Sequence, residues 1–562
     1  MRLSRVARAI ALHGGLAIML AIAGTARAEE SADWSVTPIL KSHTIVTGTR
    51  MSGPGSQIAG LPMTYHMSLF ESSWGGRQTA INGSGMTTNS TIPIAEGEAL
   101  TENLDVGAEV NTPSGWVAGL QGEWYGLAGD RTVGRVFGDE LPWDNFDRQR
   151  GAAVAAHSNL DLDRGWLRYA SSPWSVQLVG GTLPSSTLPE LSRKPMNHVR
   201  LGSLVWRVPI ASGSYFEKAD RKLEEGRHPV RGTDLLVDYE YADARHVHLE
   251  WFAGRTKPTP VAAIDRLSWG GRLGVDIAAG NVGATFVRAD GDQPRSERQA
   301  IWAVDTSYPI ADWLSPYGAW ARSSYTRGST VLDGTAVVGG LALKGPRRSE
   351  GKVQYQRLGE NYNLIGITKI EHYPVNSCGV NAELSVPVGA GSVKGVIYRL
   401  RQIETNTTAD DTIFGDSYFP ALANSSRGRM LVWRLGGETG PWHRARLKGY
   451  AEQAQFRKDA LDDTNDIDKL VTNLWIGPSV ALTKSLTLEA GVRHQMATGR
   501  WQTMRFHHRQ EVPEIALTYL RGKSLRATLL YNRYLFEDGL AAAQGNNDYT
   551  ADQLIAEFKY TL

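Results

Sequence analysis

The chain has 562 residues, with 60 Lys and Arg against 58 Asp and Glu for a formal net charge of +2, a balance that excludes bulk nucleic-acid binding, which needs a phosphate-neutralising excess of cations. A single cysteine, Cys378, excludes an internal disulfide. Beyond the N-terminal segment there is no run of about 20 apolar residues, which excludes an α-helical membrane span.

Arg2, Arg5 and Arg8 precede an apolar stretch from Ala9 to Ala23, and Ala26-Arg27-Ala28 supplies a small-x-small cleavage site. Residues 1–28 therefore read as a secretory signal peptide and 29–562 as a single domain. No cysteine follows the cut closely, so a lipid-anchored N-terminus is not expected. Losing the four arginines of the leader leaves the mature chain slightly acidic. An exported chain of this length without disulfides needs another source of cohesion, and a large sheet provides one.

Strand periodicity then dominates. In RGWLRYASSPWSVQLVGG, Leu167 and Tyr169 share a parity opposite Arg164, Arg168 and Ala170; past the turn, Val176 and Leu178 oppose Ser175 and Gln177. In DLLVDYEYADARHVHLEWFAG, Leu235, Val237, Tyr239 and Tyr241 oppose Asp238 and Glu240, and Val247, Leu249 and Trp251 oppose His246, His248 and Glu250. Such a pattern is a tight hairpin with one apolar and one ionisable wall. Leu273, Val275 and Ile277 alternate with Arg272 and Asp276, and Ala445 and Leu447 with Arg444, Arg446 and Lys448. Leu486, Leu488, Ala490 and Val492 oppose Glu489 and Arg493, and Leu525, Ala527 and Leu529 oppose Arg526. The final DQLIAEFKYTL places Leu554, Ala556, Phe558, Tyr560 and Leu562 on one side. It is similar to the terminal strand by which outer-membrane barrels are recognised for assembly, with Leu562 where Phe or Trp is usual.

Runs of about eight to twelve residues suit a tilted strand crossing a bilayer. Their connections alternate between brief ones (ADAR, AAGN, VGAG, RGKS) and long polar stretches at 126–150, 182–232, 401–428, 457–470, 498–513 and 536–550. A soluble antiparallel sandwich also alternates but explains neither this asymmetry nor the ionisable wall. The expected fold is all-β: a closed antiparallel transmembrane β-barrel in the outer membrane, short turns on the periplasmic side and long loops outside. A tally of alternating runs gives roughly 18 to 22 strands, and the fold expected is about 18 strands, within a range of 16 to 22. The apolar wall, with Tyr239 and Trp251, faces lipid; the other wall faces water.

The expected pore lining is Arg168, Arg272, Arg444, Arg446, Lys448, Arg493 and Arg526, with Asp238, Glu240, His248 and Glu250 in another sector. Cations around a pore favour anions; a mixed set can equally be a self-neutralising network. His246-Val247-His248 has the two-residue spacing of a strand metal site but no third ligand, and LDDTNDID clusters Asp462, Asp463, Asp466 and Asp468 with Asn465 without an EF-hand's spacing. His507-His508 falls in an expected external loop. No metal, cofactor or catalytic group is expected: neither GxSxG nor HExxH occurs.

The segment LDLDRGWLRYASSPWSVQLVGGTLPSSTLPELSRKPMNHVR resembles the early hairpin of the alginate-export outer-membrane barrels, with Asn197 and Arg200 at the family's Asn-x-Arg position. GTDLLVDYEY and DYTADQLIAEFKYTL resemble its next and closing strands. The family's Gly-Arg-Gln stands here as Gly180-Gly181-Thr182, without the basic side chain. The resemblance implies an 18-stranded barrel that exports an acidic exopolysaccharide, handed over by a periplasmic partner, and contacts outer-membrane lipid. A general diffusion porin, a barrel-embedded lipid-modifying enzyme and a sheath around a partner protein are the alternatives. The exported chain is expected to begin at Glu29; intact-mass measurement of the mature protein checks this.

Overall fold

The computed structural model describes residues 34–53, 97–129, 157–182, 230–242, 245–256, 266–291, 297–362, 376–404, 427–459, 466–501, 504–538 and 548–562. The leader 1–28, Asn197, Arg200, and Asp462, Asp463 and Asn465 of the acidic loop lie outside them.

Twenty-two strands occur among the described residues. They are β1 (Ser35–Ser52), β2 (Gly97–Asn111), β3 (Trp116–Gly129), β4 (His157–Ser171), β5 (Trp174–Thr182), β6 (Val230–Ala242), β7 (Arg245–Thr256) and β8 (Arg266–Ile277). Next come β9 (Gly280–Gly291), β10 (Glu297–Ser307), β11 (Leu314–Arg327), β12 (Thr330–Lys344), β13 (Glu350–Leu358), β14 (Ser377–Val388) and β15 (Gly391–Gln402). The last seven are β16 (Arg429–Glu438), β17 (Ala445–Lys458), β18 (Ile467–Ala481), β19 (Leu486–Trp501), β20 (Met504–Arg521), β21 (Leu525–Asp538) and β22 (Tyr549–Thr561).

Each strand pairs antiparallel with its successor, and β22 returns to β1, with His43 opposite Lys559 and Thr49 opposite Gln553. The sheet is a closed meander with no free edge. Its 22 strands correct the expectation of about 18. The undercount has a physical origin: β12 dilutes its alternation with Gly334, Gly339 and Gly340, and β1 carries polar residues such as Lys41, Ser42 and His43. Strands of this kind leave a weak period-2 signal, because closure rather than side-chain pattern satisfies their backbones.

Connections at one end are brief: 112–115, 172–173, 243–244, 278–279, 389–390 and 522–524. Gly389 takes φ +60 in its turn, a conformation that a residue with Cβ adopts at a cost. At the other end the chain runs 53–96, 130–156, 183–229 and 403–428 between strands. The stretch 498–513 is no loop: β19 runs to Trp501 and β20 starts at Met504, which pairs with it, and this puts His507 and His508 on β20. Its polar composition reads as loop because a strand projecting past the bilayer no longer needs apolar residues on its outer side. The stretch 457–470 likewise shrinks to a connection at 459–466.

The two faces invert the arrangement of a soluble protein. Outward residues such as Leu120, Leu249, Trp302, Leu435, Ile476 and Leu554 are exposed, whereas inward Gln354, Gln356, Arg493, Asn532 and Gln553 are buried. Apolar exteriors of this extent suit hydrocarbon, not water. Outward aromatic pairs mark the band: Trp116 with Tyr169 (centroids 4.7 Å apart) and Trp174 with Tyr239 (4.4 Å) near the short-turn end, and Phe286 with Trp302 (4.3 Å) further along. Tyr239 and Trp251 lie on this outer side and do not pack into an interior.

The chain leaving β13 bends across the inner face. Gly359 donates its backbone N–H to Thr335 O (2.8 Å), Ser323 Oγ donates to Asn361 O (3.3 Å), and Tyr362 is fully buried. A Cβ on Gly334 would lie 2.3 Å from the backbone nitrogen of Tyr362, so only glycine permits this approach. Gly334→Val is expected to lower stability by about 1–3 kcal/mol, read as a reduced urea midpoint of the refolded barrel in detergent, while Gly339→Val, with open space at its Cβ position, shifts it less.

Candidate functional site

The inner wall is assembled by register. Directly paired residues share a face, so each inward residue fixes the parity of its neighbours around the barrel. By that rule Arg168 (β4), Asp238 and Glu240 (β6), His246, His248 and Glu250 (β7), Arg272 (β8), Arg446 and Lys448 (β17), Arg493 (β19) and Arg526 (β21) all point inward. Arg444 does not belong to a strand. It sits in the turn before β17, where its guanidinium donates to Leu482 O at 3.4 Å.

Five of the seven expected cations sit within ion-pairing reach of a carboxylate, which decides between a cationic ladder and a mixed wall in favour of the latter. Arg168 lies 3.7 Å from Glu109, whose carboxylate also accepts from Trp166 Nε1 at 2.9 Å. Arg272 pairs with Asp305 and donates to Asn281 Oδ1 at 3.3 Å. Arg446 is 3.9 Å from Glu438, Lys448 is 2.5 Å from Glu489, and Arg493 is 3.9 Å from Glu514. For Arg526 no ion pair is found among the described residues, and its Nε is buried without a hydrogen-bond partner. Lys559 stands directly opposite it on β22.

The acidic sector is also internally paired. Asp238 holds His248, which stacks on His246 with ring centroids 5.6 Å apart and reaches Asp276 at 3.6 Å through Nε2. Asp276 in turn accepts from the His246 backbone N–H (3.0 Å) and from Asn281 Nδ2 (2.9 Å). These groups cluster near the short-turn end, at the connections 243–244 and 278–279. His507 faces outward on β20 and joins none of them. Asp466 of the acidic loop pairs with Arg500.

Exposure divides the wall by height. Near the short-turn mouth, Arg168 and Arg446 are about half exposed, at 49% and 46%, and Asp238 is 46% exposed. At mid-height the inward side chains are shielded: Asp234, Glu250, Thr285, Gln354, Glu452, Arg493 and Glu514 are all buried. A 22-stranded wall is too wide for its own side chains to close the lumen. Glu250 points inward and is 3% exposed.

Sequence reading missed the counter-ions Glu109, Asp305, Glu438 and Glu514. The signal that could have found them is register: each lies on the inner parity of a strand one or two places away from its cation, but strand pairing offsets are not legible before the barrel closes.

No family model and no curated protein sequence matches the chain. Among solved structures, it is similar to the translocation pore of the P pilus usher PapC, at 9% identity and TM-score 0.38, covering 93% of this chain and 100% of that one. It is similar also to OccK2 (OpdF) of Pseudomonas aeruginosa, at 10% identity and TM-score 0.37, covering 94% and 98%. A third is the ferric enterobactin receptor PfeA of Pseudomonas aeruginosa in complex with enterobactin, at 10% identity and TM-score 0.48, covering 93% and 81%. These likenesses add nothing to the closure already read from strand pairing.

Arg493 and Glu514 are 2% and 3% exposed, and Trp475 Nε1 donates to the Glu514 carboxylate. Arg493→Met strands a buried carboxylate and is expected to cost about 3–5 kcal/mol, whereas Arg493→Met with Glu514→Leu restores most of that loss. Urea unfolding of the two variants in detergent distinguishes them.

Proposed function

We propose that the chain is an outer-membrane channel for hydrophilic solutes, with export of an acidic polysaccharide as its most specific form. The observation that supports this best is the closed sheet itself: an apolar exterior encloses a wall of ionisable residues that a solid core would not need.

Two features favour an anionic solute. The resemblance to the alginate-export barrels is one. The other is the short-turn mouth, where Arg444 is exposed and Arg168 and Arg446 are half exposed with their carboxylates no closer than 3.7 Å. Guanidiniums held this loosely remain able to exchange partners with a passing carboxylate. A polymer arriving from the periplasm, with or without a delivering partner, meets these groups first. The missing basic residue at Gly180-Gly181-Thr182 weighs against polymer export and leaves a general diffusion porin as the second reading.

Planar-bilayer recording tests the proposal. Replacing Arg444, Arg446 and Lys448 together by Gln removes three positive charges and leaves Glu438 and Glu489 uncompensated, so the reversal potential is expected to shift toward cation preference. An unchanged reversal potential would remove these residues from any selectivity role, and a folded barrel that never conducts would end the channel reading.

A further inference from the structure

The outer face carries a charge pattern that solute passage does not use. Following the register from β13 to β17, Arg357 stands opposite Cys378, Cys378 opposite Arg401, Arg401 opposite Arg429, and Arg429 opposite Arg457. Directly paired residues share a face, and along the same strands that face continues with Tyr355, Val380, Ile397, Leu431 and Leu447, all exposed and apolar. The arginines therefore point outward, at the long-connection end of the apolar band.

Three guanidiniums placed directly opposite one another across adjacent strands repel, and a sheet does not gain from such a row by itself. Their neutralisation is incomplete. Arg429 and Arg457 share Asp459, at 3.3 Å and 2.5 Å, and Asp468 of β18 stands directly opposite Arg457, whereas Arg401 meets only the Cys378 thiol, to which its Nε donates at 3.3 Å. Arg399, two residues below Arg401, adds to the excess; among the described residues it and Arg357 make no ion pair. Arg429 and Arg457 keep 64% and 51% of their side chains exposed.

We infer that this row binds the phosphate of a membrane lipid headgroup. The occupant must place anionic oxygens on the arginines while lying against the apolar strip beneath them, which a phosphate-bearing lipid does and a soluble anion does not. Guanidinium matches phosphate geometry through paired N–H donors, and its stem crosses apolar surface at little cost. The inference rests on the chain spanning a bilayer, and not on what passes through it.

The test uses the full-length barrel in phosphatidylcholine nanodiscs doped with phosphatidic acid, whose terminal phosphate is uncapped. Lipid retained after detergent extraction is counted by native mass spectrometry for the wild type and for R401Q/R429Q/R457Q. The wild type is expected to hold phosphatidic acid selectively, and the triple variant to hold on the order of tenfold less, the size expected for losing a charge-assisted contact or two. Equal retention by the two proteins overturns the inference. So does loss of the lipid from wild type on adding inorganic phosphate, which would make the row a site for a free anion. Should the triple variant misfold, R401Q alone carries the comparison, with heat-modifiable gel mobility as the folding control. A barrel that conducts but retains no phosphatidic acid loses only this inference; one that retains it but never conducts loses only the channel.

Discussion

Everything in this structure follows from the need of backbone N–H and C=O groups for partners where water is absent. An open sheet surrounded by hydrocarbon would expose two rows of unpaired groups, each costing several kcal/mol, on the order given by transfer to an apolar medium. Pairing β22 with β1 removes both rows at once. Closure makes the apolar exterior affordable and the ionisable interior necessary, since the inner wall must then be solvated or neutralised within itself.

The interior is neutralised largely by itself. Charges contributed by strands far apart in sequence meet across the register: Lys448 of β17 with Glu489 of β19, and Arg272 of β8 with Asp305 of β10. Partners two strands apart tie the wall laterally, over and above the backbone ladder. The price of burying these groups is offset only while both members remain, which makes the mid-height layer stiff and the half-exposed mouth, with Arg168, Arg446 and Asp238, the adaptable part.

Inner and outer faces use cations differently. Inside, Arg168, Arg272, Arg446, Lys448 and Arg493 each lie within reach of a carboxylate. Outside, many arginines near the long-connection end also meet acids, as Arg322 does Asp333 and Arg533 does Asp552, and it is the stretch of Arg357, Arg399 and Arg401 that lacks them among the described residues. What separates the two faces is only the pleat, which sends alternate residues to opposite environments.

Alternation alone determined the class of fold, the lipid-facing side of the Asp234–Gly254 hairpin, and the inward parity of residues such as Arg446 and Glu250, because period 2 is a local property of the strand. Strand number, the fate of 498–513, the turn position of Arg444 and the burial of Glu250 were decided by the closed barrel. So was every charge pair: a parity says which face a side chain takes, but its partner depends on the offset between neighbouring strands, which exists only once the backbone ladder closes on itself.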